Sequence, residues 1–308
     1  LFMISAEHGD HVTELETAML ADLDFSRVRE EEAGQNPQEP IAIALLGKPN
    51  TGKSTLANRL TASEASIVSP LPGTTRDVVE GVFWYKNRTF KILDTAGIRR
   101  RSRVTEHIEY YSVNRAIKAI DQADLVFLVI DAKEGLSDQD KKIAALAHEK
   151  GRGIIMVLNK WDTLPPMKNQ LQAVQDRIRF LFAKMEYAPI IPVSAKDGSG
   201  IDPLLNTAVR LYGQLIRHID TGILNRALED WLAEYPPPIG PQTRFKIKYA
   251  LQVSDKPVRF VFFVSRPQAV SAAYVSYLRN KIRKDLGFSQ IPVAIEIRAS
   301  GKTERKNP

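Results

Sequence analysis

An eight-residue glycine-rich loop constrains the fold of this 308-residue chain more than any other feature. Its residues, in order, are Gly47, Lys48, Pro49, Asn50, Thr51, Gly52, Lys53 and Ser54. An apolar run at 41–46 predicts a buried strand before the loop, and residues 53–61 predict a helix after it. The amides of such a loop surround one anion beside the positive end of the helix dipole. The sequence therefore predicts a phosphate site in which Lys53 reaches the β- and γ-phosphates and Ser54 binds Mg²⁺.

Composition narrows the class of protein. The chain has no cysteine, which excludes disulfides and thiolate metal sites and favours a reducing cytosol, so we predict a cytoplasmic protein. The apolar run at 125–130 is bracketed by Asp124 and Asp131, and no apolar run approaches the ~20 residues of a membrane helix. The net charge of +7 permits a polyanionic partner.

Alternating strand and helix patterns predict an α/β fold between residues 41 and 218. Strands are predicted at 41–46, 79–85, 89–93, 125–130, 154–158 and 190–193. Helices are predicted at 53–61, 105–121, 138–149, 168–186 and 202–218. This alternation indicates a mostly parallel sheet with helices on both faces. A short turn over residues 86–88 joins the second and third strands as a hairpin, which predicts one antiparallel edge.

Four further segments flank this domain. Residues 1–23 predict an amphipathic helix, and the acidic, proline-containing stretch 24–40 predicts a linker. Residues 219–300 predict a smaller α+β domain with the element order α-β-β-α-β, and 301–308 form a polar tail.

The smaller domain is predicted to present a basic stripe. From residue 221 onward the chain has fifteen basic and seven acidic residues. Apolar and basic side chains alternate in the strand predicted at 243–253, so the two sets should face opposite sides. The apolar set is Phe245, Ile247, Tyr249 and Leu251, and the basic set is Arg244, Lys246 and Lys248. RNA-binding proteins that contact the phosphate backbone often have such a stripe.

Two motifs after the loop are predicted to respond to a γ-phosphate. In the segment 72–77, Thr75 is predicted to place its hydroxyl on Mg²⁺, with Thr74 as the alternative. Asp94 follows the second hairpin strand and is predicted to hold the Mg²⁺ shell, while the Gly97 amide senses the γ-phosphate. An ordinary surface turn is the alternative interpretation of either motif taken alone.

Two further motifs follow the strands predicted at 154–158 and 190–193. The first comprises Asn159, Lys160, Trp161 and Asp162, and the second comprises Ser194, Ala195 and Lys196. Asp162 is suited to accept from both N1–H and the exocyclic amine of guanine, which adenine does not present in that arrangement. Asn159 is predicted to bond the other edge of the ring and to tie loops together, and the second motif to contact guanine O6. Five motifs in this order predict a guanine nucleotide site.

The middle domain resembles the Era/TrmE group of GTPases, because G-K-P-N-T-G-K-S, P-G-T-T-R-D and D-T-A-G-I are typical of that group. With the third domain included, the whole chain resembles the Der (EngA) family of bacterial ribosome-assembly GTPases. The resemblance implies a P-loop GTPase domain followed by a KH-like domain, and hydrolysis of GTP to GDP and phosphate. It also implies a switch role in assembly of the large (50S) ribosomal subunit. The implied partners are that subunit or its precursor and ribosomal RNA, with no membrane and no DNA, and the implied state is a monomer.

The resemblance also assigns site residues. The implied nucleotide-binding residues are the loop from Gly47 to Ser54, Thr55, Asp94, Thr95, Ala96, Gly97, Ile98 and both base motifs. Ile98 stands where Ras-type GTPases place the glutamine that orients water, and relatives with an apolar residue there are thought to recruit K⁺ through Asn50. The implied catalytic residues are Lys53, Asn50, Thr75 and Gly97, and the implied metal ligands are Ser54, Thr75, Asp94 and Asn50. The alternative is that Asn50 only caps the loop and hydrolysis is slow.

An internal repeat bears on the N-terminal segment. Residues 4–9 resemble residues 193–198, and the helices that follow share an apolar phase. Such repetition indicates duplicated domains, so we expect 1–23 to be the last piece of an upstream G domain. A simple N-terminal helix is the alternative.

Two other functions stay open. An RNA-modification partner GTPase of the TrmE type would carry a C-terminal catalytic cysteine, which this chain lacks. A nucleotide-dependent RNA or protein binding module would have the same motifs with negligible turnover. The smaller domain has no G-x-x-G loop, so base-specific readout of single-stranded RNA is not expected from it.

Overall fold

The computed structural model describes residues 39–62, 81–93, 109–238, 240 and 243–300. The larger sheet in this part has six strands: β1 (Ile41–Leu46), β2 (Val82–Tyr85), β3 (Arg88–Ile92), β4 (Leu125–Asp131), β5 (Gly153–Asn159) and β6 (Ile190–Pro192). Their order is β2-β3-β1-β4-β5-β6, and of these neighbours only β2 and β3 are antiparallel. The predicted mostly parallel sheet with one antiparallel edge is confirmed.

The hairpin turn between β2 and β3 is one residue shorter than predicted. Lys86 and Asn87 have φ values of 44° and 59°, while Arg88 already pairs with Tyr85. Two consecutive positive φ values match the twist of a tight antiparallel ribbon, so a two-residue turn suffices here.

Helices cover both faces of the larger sheet. They are α1 (Lys53–Ala62), α2 (Glu109–Gln122), α3 (Asp138–Glu149), α4 (Gln170–Leu181) and α5 (Ile201–Leu215). Strands β4 and β5 are buried along their whole length, with Phe127 in one core cluster and the next residue, Leu128, in the other. Continuous burial follows from coverage on both faces and explains why these strands read as unbroken apolar runs.

The single long helix predicted at 168–186 is wrong. Helix α4 ends at Leu181, Phe182 has the non-helical dihedral angles φ −144° and ψ 59°, and a 3₁₀ turn occupies Ala183–Met185. The break allows both Phe182 and Met185 to pack against the core beside the sheet. Tertiary packing therefore overrides the local helical pattern at this point.

A smaller three-stranded sheet follows. Its strands are β7 (Ile247–Ser254), β8 (Arg259–Val264) and β9 (Ala294–Ala299), and two helices accompany them, α6 (Thr221–Glu234) and α7 (Ala272–Asp285). Strand β8 lies in the centre, antiparallel to β7 and parallel to β9. The predicted order α-β-β-α-β is confirmed, although β7 and β9 begin later than predicted.

The predicted alternation along β7 holds only at its start. Phe245 and Ile247 are buried, but Tyr249 is 41% exposed and Ala250 takes the buried position. A register shift between Ile247 and Tyr249 explains the change, because the extra residue of a β-bulge turns all later side chains to the opposite face. The basic residues Lys246 and Lys248 remain exposed as predicted.

The two sheets belong to one compact unit that begins at Pro40. Lys256, in the β7–β8 connection, forms an ion pair with Asp124 at 3.0 Å, and its ammonium lies 4.9 Å from the Tyr212 ring centroid. Gly151 has φ 67°, and a Cβ atom there would lie 2.2 Å from Pro257 Cβ. The smaller sheet therefore packs close to the amino ends of β4 and β5.

One hydrophobic cluster extends through both sheets, since it includes residues from β1, α5, α6, β8 and α7. Among the described helices, none has both the length and the hydrophobicity to span a bilayer. The helix predicted at 1–23, most of the linker at 24–40 and the tail at 301–308 lie outside the described residues.

Candidate guanine nucleotide site

Three loops meet at the carboxyl edge of the larger sheet. One joins β1 to α1, the second follows β5, and the third follows β6. Ligands of open parallel sheets bind at this edge, where the connections leave a crevice. The predicted phosphate loop and both predicted base motifs therefore share one side of the molecule.

Two glycines shape the first loop. Gly47 has φ 140°, and a Cβ atom there would lie 2.2 Å from the Val129 carbonyl oxygen in β4. Gly52 has φ 91°, and its Cβ atom would lie 2.2 Å from Asn159 Nδ2. Only glycine adopts such angles without strain, and only glycine leaves space for these contacts. The loop backbone consequently packs directly against its neighbours.

Lys53 begins α1 and directs its ammonium group back over the loop. Its Nζ atom donates to the Lys48 carbonyl and lies 3.5 Å from Thr51 Oγ1. The buried Thr51 hydroxyl donates to the same carbonyl over 3.1 Å. Asn50 has φ 62° and an exposed side chain. A positive charge is thus fixed beside the helix N-terminus, where a phosphate group would be bound most strongly.

The side chain of Asn159 joins the first loop to the third. It is 2% exposed at the end of β5. Its Nδ2 atom donates to the Thr51 carbonyl over 2.7 Å, and its Oδ1 atom accepts from the Ala195 amide over 3.0 Å. Burial strengthens both hydrogen bonds, because water does not compete for the same groups. One amide therefore sets the spacing between the phosphate loop and the loop after β6.

Lys160 is held by a buried carboxylate at the end of β4. It has φ 60°, and its Nζ atom lies 2.8 Å from Asp131 Oδ2. Burial raises the pKa of Asp131, but hydrogen bonds from Lys160 and from the amides of Lys133 and Glu134 outweigh it, so the pKa lies below its ordinary value. The charged Asp131 fixes the Lys160 side chain at the carboxyl edge.

The remaining residues of the second loop differ in exposure. The Trp161 amide donates to the Val193 carbonyl over 3.1 Å, and the ring packs partly buried against the core. Asp162 is exposed in the 3₁₀ turn Trp161–Thr163. In the described part of the chain no hydrogen bond or ion pair engages its carboxylate, which leaves both oxygens to a ligand.

Arg59 of α1 holds the third loop from the opposite side. Its Nε atom donates to the Ala195 carbonyl over 3.3 Å, and its guanidinium also donates to the Lys196 carbonyl. Ser194 is fully buried at the start of this loop. The loop backbone is therefore fixed by Arg59 and by Asn159 together.

The structure brings together the glycine loop, the start of α1 and both base motifs. Pro49 lies exposed in the loop, and Ser54 and Thr55 lie in the first turn of α1. The other predicted site residues lie outside the described residues: Thr75, Asp94, Thr95, Ala96, Gly97 and Ile98. Within the described residues no cluster of three or more His, Asp or Glu side chains could hold a metal. Of the three predicted Mg²⁺ ligands, Ser54, Thr75 and Asp94, only Ser54 lies among the described residues.

Sequence reasoning missed two residues that hold the site together. Arg59 lies in a helix without a recognisable motif, and nothing in the sequence links it to residues 195–196. Asp131 had a usable signal, because it directly follows a buried strand, as Asn159 does. Asp131 and Asn159 are partners in the parallel pairing of β4 with β5.

Comparison with known proteins identifies two regions. Residues 42–160 match a family model described as a 50S ribosome-binding GTPase. Residues 218–298 match one described as the C-terminal KH-domain-like region of EngA bacterial GTPases. Among solved structures, a variant of Era from Aquifex aeolicus bound to GDP and aluminium fluoride covers 84% of this chain and 92% of its own, at 24% identity and a TM-score of 0.41.

Curated relatives match nearly the whole chain. GTPase Der of Treponema pallidum is 43% identical over 299 residues, covering 97% of this chain and 64% of the relative. GTPase Der of Caldanaerobacter subterraneus is 42% identical over 299 residues, covering 97% of this chain and 67% of the relative. The chain thus spans about two thirds of the length of these relatives. The resemblance predicted from the motifs is confirmed, and the chain belongs to the GTPase Der (EngA) family.

Proposed function

We propose that this chain binds GTP with Mg²⁺ and hydrolyses it to GDP and phosphate. The observation that carries the proposal is the buried Asn159 amide, which joins the phosphate loop to the loop after β6. In the proposed complex Lys53 binds the β- and γ-phosphates, and Asp162 accepts from the guanine ring. Ser54, Thr75 and Asp94 would hold Mg²⁺, which supplies charge neutralisation at the phosphates. Membership of a GTPase family supports this assignment.

Titration with fluorescently labelled GDP tests the binding step. We expect one site per chain, with binding abolished by Lys53→Ala and unchanged by Lys141→Ala, which removes a lysine whose partner is the exposed Asp138. Release of phosphate from GTP is measured in parallel. Equal competition by ATP, or a second site that survives Lys53→Ala, would contradict the proposal.

We further infer that K⁺ assists hydrolysis through Asn50. The side chain of Asn50 is exposed on the phosphate loop, next to the position proposed for the β- and γ-phosphates. A cation there would neutralise the negative charge that develops as the bond to the γ-phosphate breaks. The apolar Ile98 offers no group to orient water, and K⁺ would supply the charge neutralisation that an arginine finger supplies in other GTPases.

Exchange of Na⁺ for K⁺ tests the role of Asn50. Turnover should rise by about tenfold or more in K⁺ for the unchanged chain, and much less for Asn50→Ala. Affinity for GDP should change little, because the benefit arises in the transition state. Identical rates in the two salts would refute the inference.

The proposed partner is the large (50S) ribosomal subunit or its precursor, contacted through ribosomal RNA in the cytoplasm. The family model for residues 42–160 is described by its binding to that subunit, which supports the choice. Arg244, Lys246 and Lys248 are exposed in and beside β7 and suit a phosphate backbone. The chain would act as a monomer whose nucleotide state controls this association.

Sedimentation with ribosomal particles tests the partner. Association should depend on whether GDP or a non-hydrolysable GTP analogue is bound, and it should weaken steeply with salt, because phosphate contacts release counterions. Replacement of Lys246 and Lys248 by Glu should reduce association without changing GTP turnover of the free chain. Co-sedimentation that changes neither with salt nor with the two substitutions would contradict a role of the basic stripe in binding.

A further inference from the structure

A polar cavity lies where the 3₁₀ turn Ala183–Met185 meets helix α7. Its volume is about 200 Å³, and its lining residues are Ala183, Lys184, Glu186, Tyr187 and Arg283. The first four belong to the segment before β6, whereas Arg283 comes from the smaller sheet's helix. The cavity is therefore built by two parts of the chain that lie about a hundred residues apart in sequence.

Arg283 is placed as a rigid donor in this cavity. Its guanidinium carbon lies 4.4 Å from the centroid of the Tyr187 ring. The Tyr187 hydroxyl is in turn hydrogen-bonded to His148 Nδ1 at 2.8 Å and lies 3.4 Å from Met185 Sδ. The guanidinium is planar, and contact with the aromatic face restricts its orientation, so its paired N–H groups are positioned in advance for the oxygens of a phosphate.

Among the described residues no hydrogen-bond partner is found for the guanidinium of Arg283. Its Nε atom is buried and has no hydrogen-bond partner. Neither Arg283 nor Lys184 forms an ion pair with any residue in the described part of the chain. The Nε atom itself is too buried to reach a ligand, but Arg283 lines the cavity, and its other guanidinium nitrogens also form no hydrogen bond with a described residue, so they can donate to an acceptor that enters the cavity.

The surroundings of the cavity are positive. Burial and, to a smaller extent, the charges of Lys184, Arg283 and Arg279 together lower the pKa of His148 to about 4. Burial also lowers the pKa of Arg283 itself. Glu186 is the single carboxylate among the lining residues, so basic groups outnumber acidic ones around the cavity.

An exposed aromatic residue comes three positions before the first lining residue of the cavity in the sequence. Phe180 is 87% exposed near the end of α4, although phenylalanine is among the residues most often buried. A base of RNA would stack on such a ring, and stacking tolerates any base because each has a π face. A cavity for an anion and an exposed ring a few residues away in the chain suit a short stretch of unpaired RNA.

We propose that this cavity binds a phosphate group of single-stranded RNA, with Arg283 and Lys184 on the phosphate and Phe180 under an adjacent base. The inference rests on the proposed association with ribosomal RNA and adds a defined contact to it. It differs from the basic stripe on β7, which would approach a backbone without a cavity.

The test uses the whole chain saturated with GDP and Mg²⁺, so that the phosphate loop is already occupied. Binding of a fluorescent uridylate hexamer is followed by anisotropy, with inorganic phosphate as competitor. Arg283→Gln should weaken binding of the hexamer by about tenfold, and Phe180→Ala by a similar factor. The matched control is Lys284→Gln, which removes one charge from the next, exposed position of α7 and should have little effect.

Further variants separate a loss of RNA binding from a loss of stability. If Arg283→Gln lowers the midpoint of thermal unfolding, Lys184→Gln replaces it, because Lys184 is exposed and packs little. Inorganic phosphate should compete with the hexamer for Phe180→Ala but no longer for Arg283→Gln. This result would support a phosphate contact at Arg283 and a separate base contact at Phe180. Equal binding of a hexamer with an uncharged methylphosphonate backbone would overturn the proposal, as would an equal loss in Lys284→Gln.

Sedimentation separates this proposal from the proposed function. Particles that bind the wild-type chain and Arg283→Gln equally would overturn the cavity proposal while the ribosomal partner stands. Hexamer binding that depends on Arg283, in a chain that does not bind particles, would support the cavity and contradict the partner.

Discussion

Asn159 has the largest structural role among the single residues of the candidate site, because its amide satisfies two buried backbone groups. Replacement by Ala would leave the Thr51 carbonyl and the Ala195 amide without partners. An unsatisfied buried group costs about 1–3 kcal/mol. We therefore expect Asn159→Ala to lower the free energy of unfolding by that order and to weaken GDP binding by tenfold or more, measured by denaturation and by titration.

Two matched variants show whether the tie between loops is responsible. Asn159→Asp keeps an acceptor for the Ala195 amide but places a buried carboxylate oxygen against the Thr51 carbonyl, so its loss of GDP affinity at neutral pH should be at least as large as that of Asn159→Ala. Asn206→Ala removes an exposed amide that bonds only Lys86 among the described residues. An equal loss of GDP affinity in Asn206→Ala would show that the effect is not specific to the loops.

Gly52 provides a second prediction for a single residue. Gly52→Ala would place a methyl group 2.2 Å from Asn159 Nδ2 at φ 91°, which L-residues adopt only with strain. GDP affinity should therefore fall by about tenfold or more. Gly213→Ala is the control, because Gly213 occupies an exposed position of helix α5 where an added Cβ atom meets nothing within 4 Å. That change should raise stability by up to about 1 kcal/mol.

Asp162 is the residue through which base specificity is predicted. Asp162→Asn replaces one acceptor oxygen by a donor, which pairs with the 2-oxo group of xanthine instead of the 2-amino group of guanine. Competition against labelled GDP should shift from GTP toward xanthosine triphosphate. A variant that keeps its preference for GTP would place base selection elsewhere in the pocket.

The residue types of the site were predictable from the sequence, whereas most of their partners were not. Glycine spacing and the N-K-x-D motif indicate their chemistry locally. The hydrogen bonds of Arg59 to the Ala195 and Lys196 carbonyls span more than a hundred residues, and no local pattern encodes them. The pairing of Lys160 with Asp131 likewise depends on β4 and β5 being neighbours.

Helix α3 shows how a local sequence fixes the start of an element. Ser137 Oγ accepts from the Asp140 amide, and the Asp140 carboxylate accepts from the Ser137 amide over 3.0 Å. Ser137→Ala removes one half of this capping box and should lower the free energy of unfolding by about 1 kcal/mol. Ser276→Ala, in the exposed middle of α7, should have no such cost, because alanine favours a helix interior. Chemical denaturation of both variants checks the difference.

Helices and strands were predictable from the sequence where one hydrophobic period dominates. The predictions failed where tertiary packing changes the course of the backbone. The buried runs of β4 and β5 were clear from the sequence. The break at Phe182 and the bulge before Tyr249 were not, because each serves contacts with distant parts of the chain. A helical or alternating pattern continues through both positions, so periodicity alone could not locate either irregularity.

His148 links the stability of the whole molecule to pH. It lies in the last turn of α3 beside Tyr187 and the cations around Arg283, and burial together with those cations lowers its pKa from 6.5 to about 4. Both folded and unfolded chains are neutral at His148 above pH 6.5. As pH falls toward 4, only the unfolded chain takes up the proton, so stability is lost across this window.

The variant His148→Gln isolates this effect from the titration of carboxylates. Glutamine can still bond the Tyr187 hydroxyl but does not titrate. The midpoint of thermal unfolding should fall more for the wild type than for His148→Gln between pH 7 and pH 4.5. Parallel pH profiles of the two proteins would mean that His148 is not the titrating group.

The smaller sheet packs near the amino ends of β4 and β5, and the nucleotide residues occupy the carboxyl ends. The seven residues of β4 separate these edges by roughly 20 Å. A partner that grips the smaller sheet therefore leaves the nucleotide entrance open to solvent. We expect a bound chain to exchange its nucleotide without first dissociating from the particle, so that each newly bound nucleotide can decide whether the chain stays or leaves. Labelled GDP should therefore still dissociate from particle-bound chains, at a rate that differs from the free chain because the nucleotide and the particle affect each other's affinity. Complete trapping of GDP in particle-bound chains would contradict an open entrance.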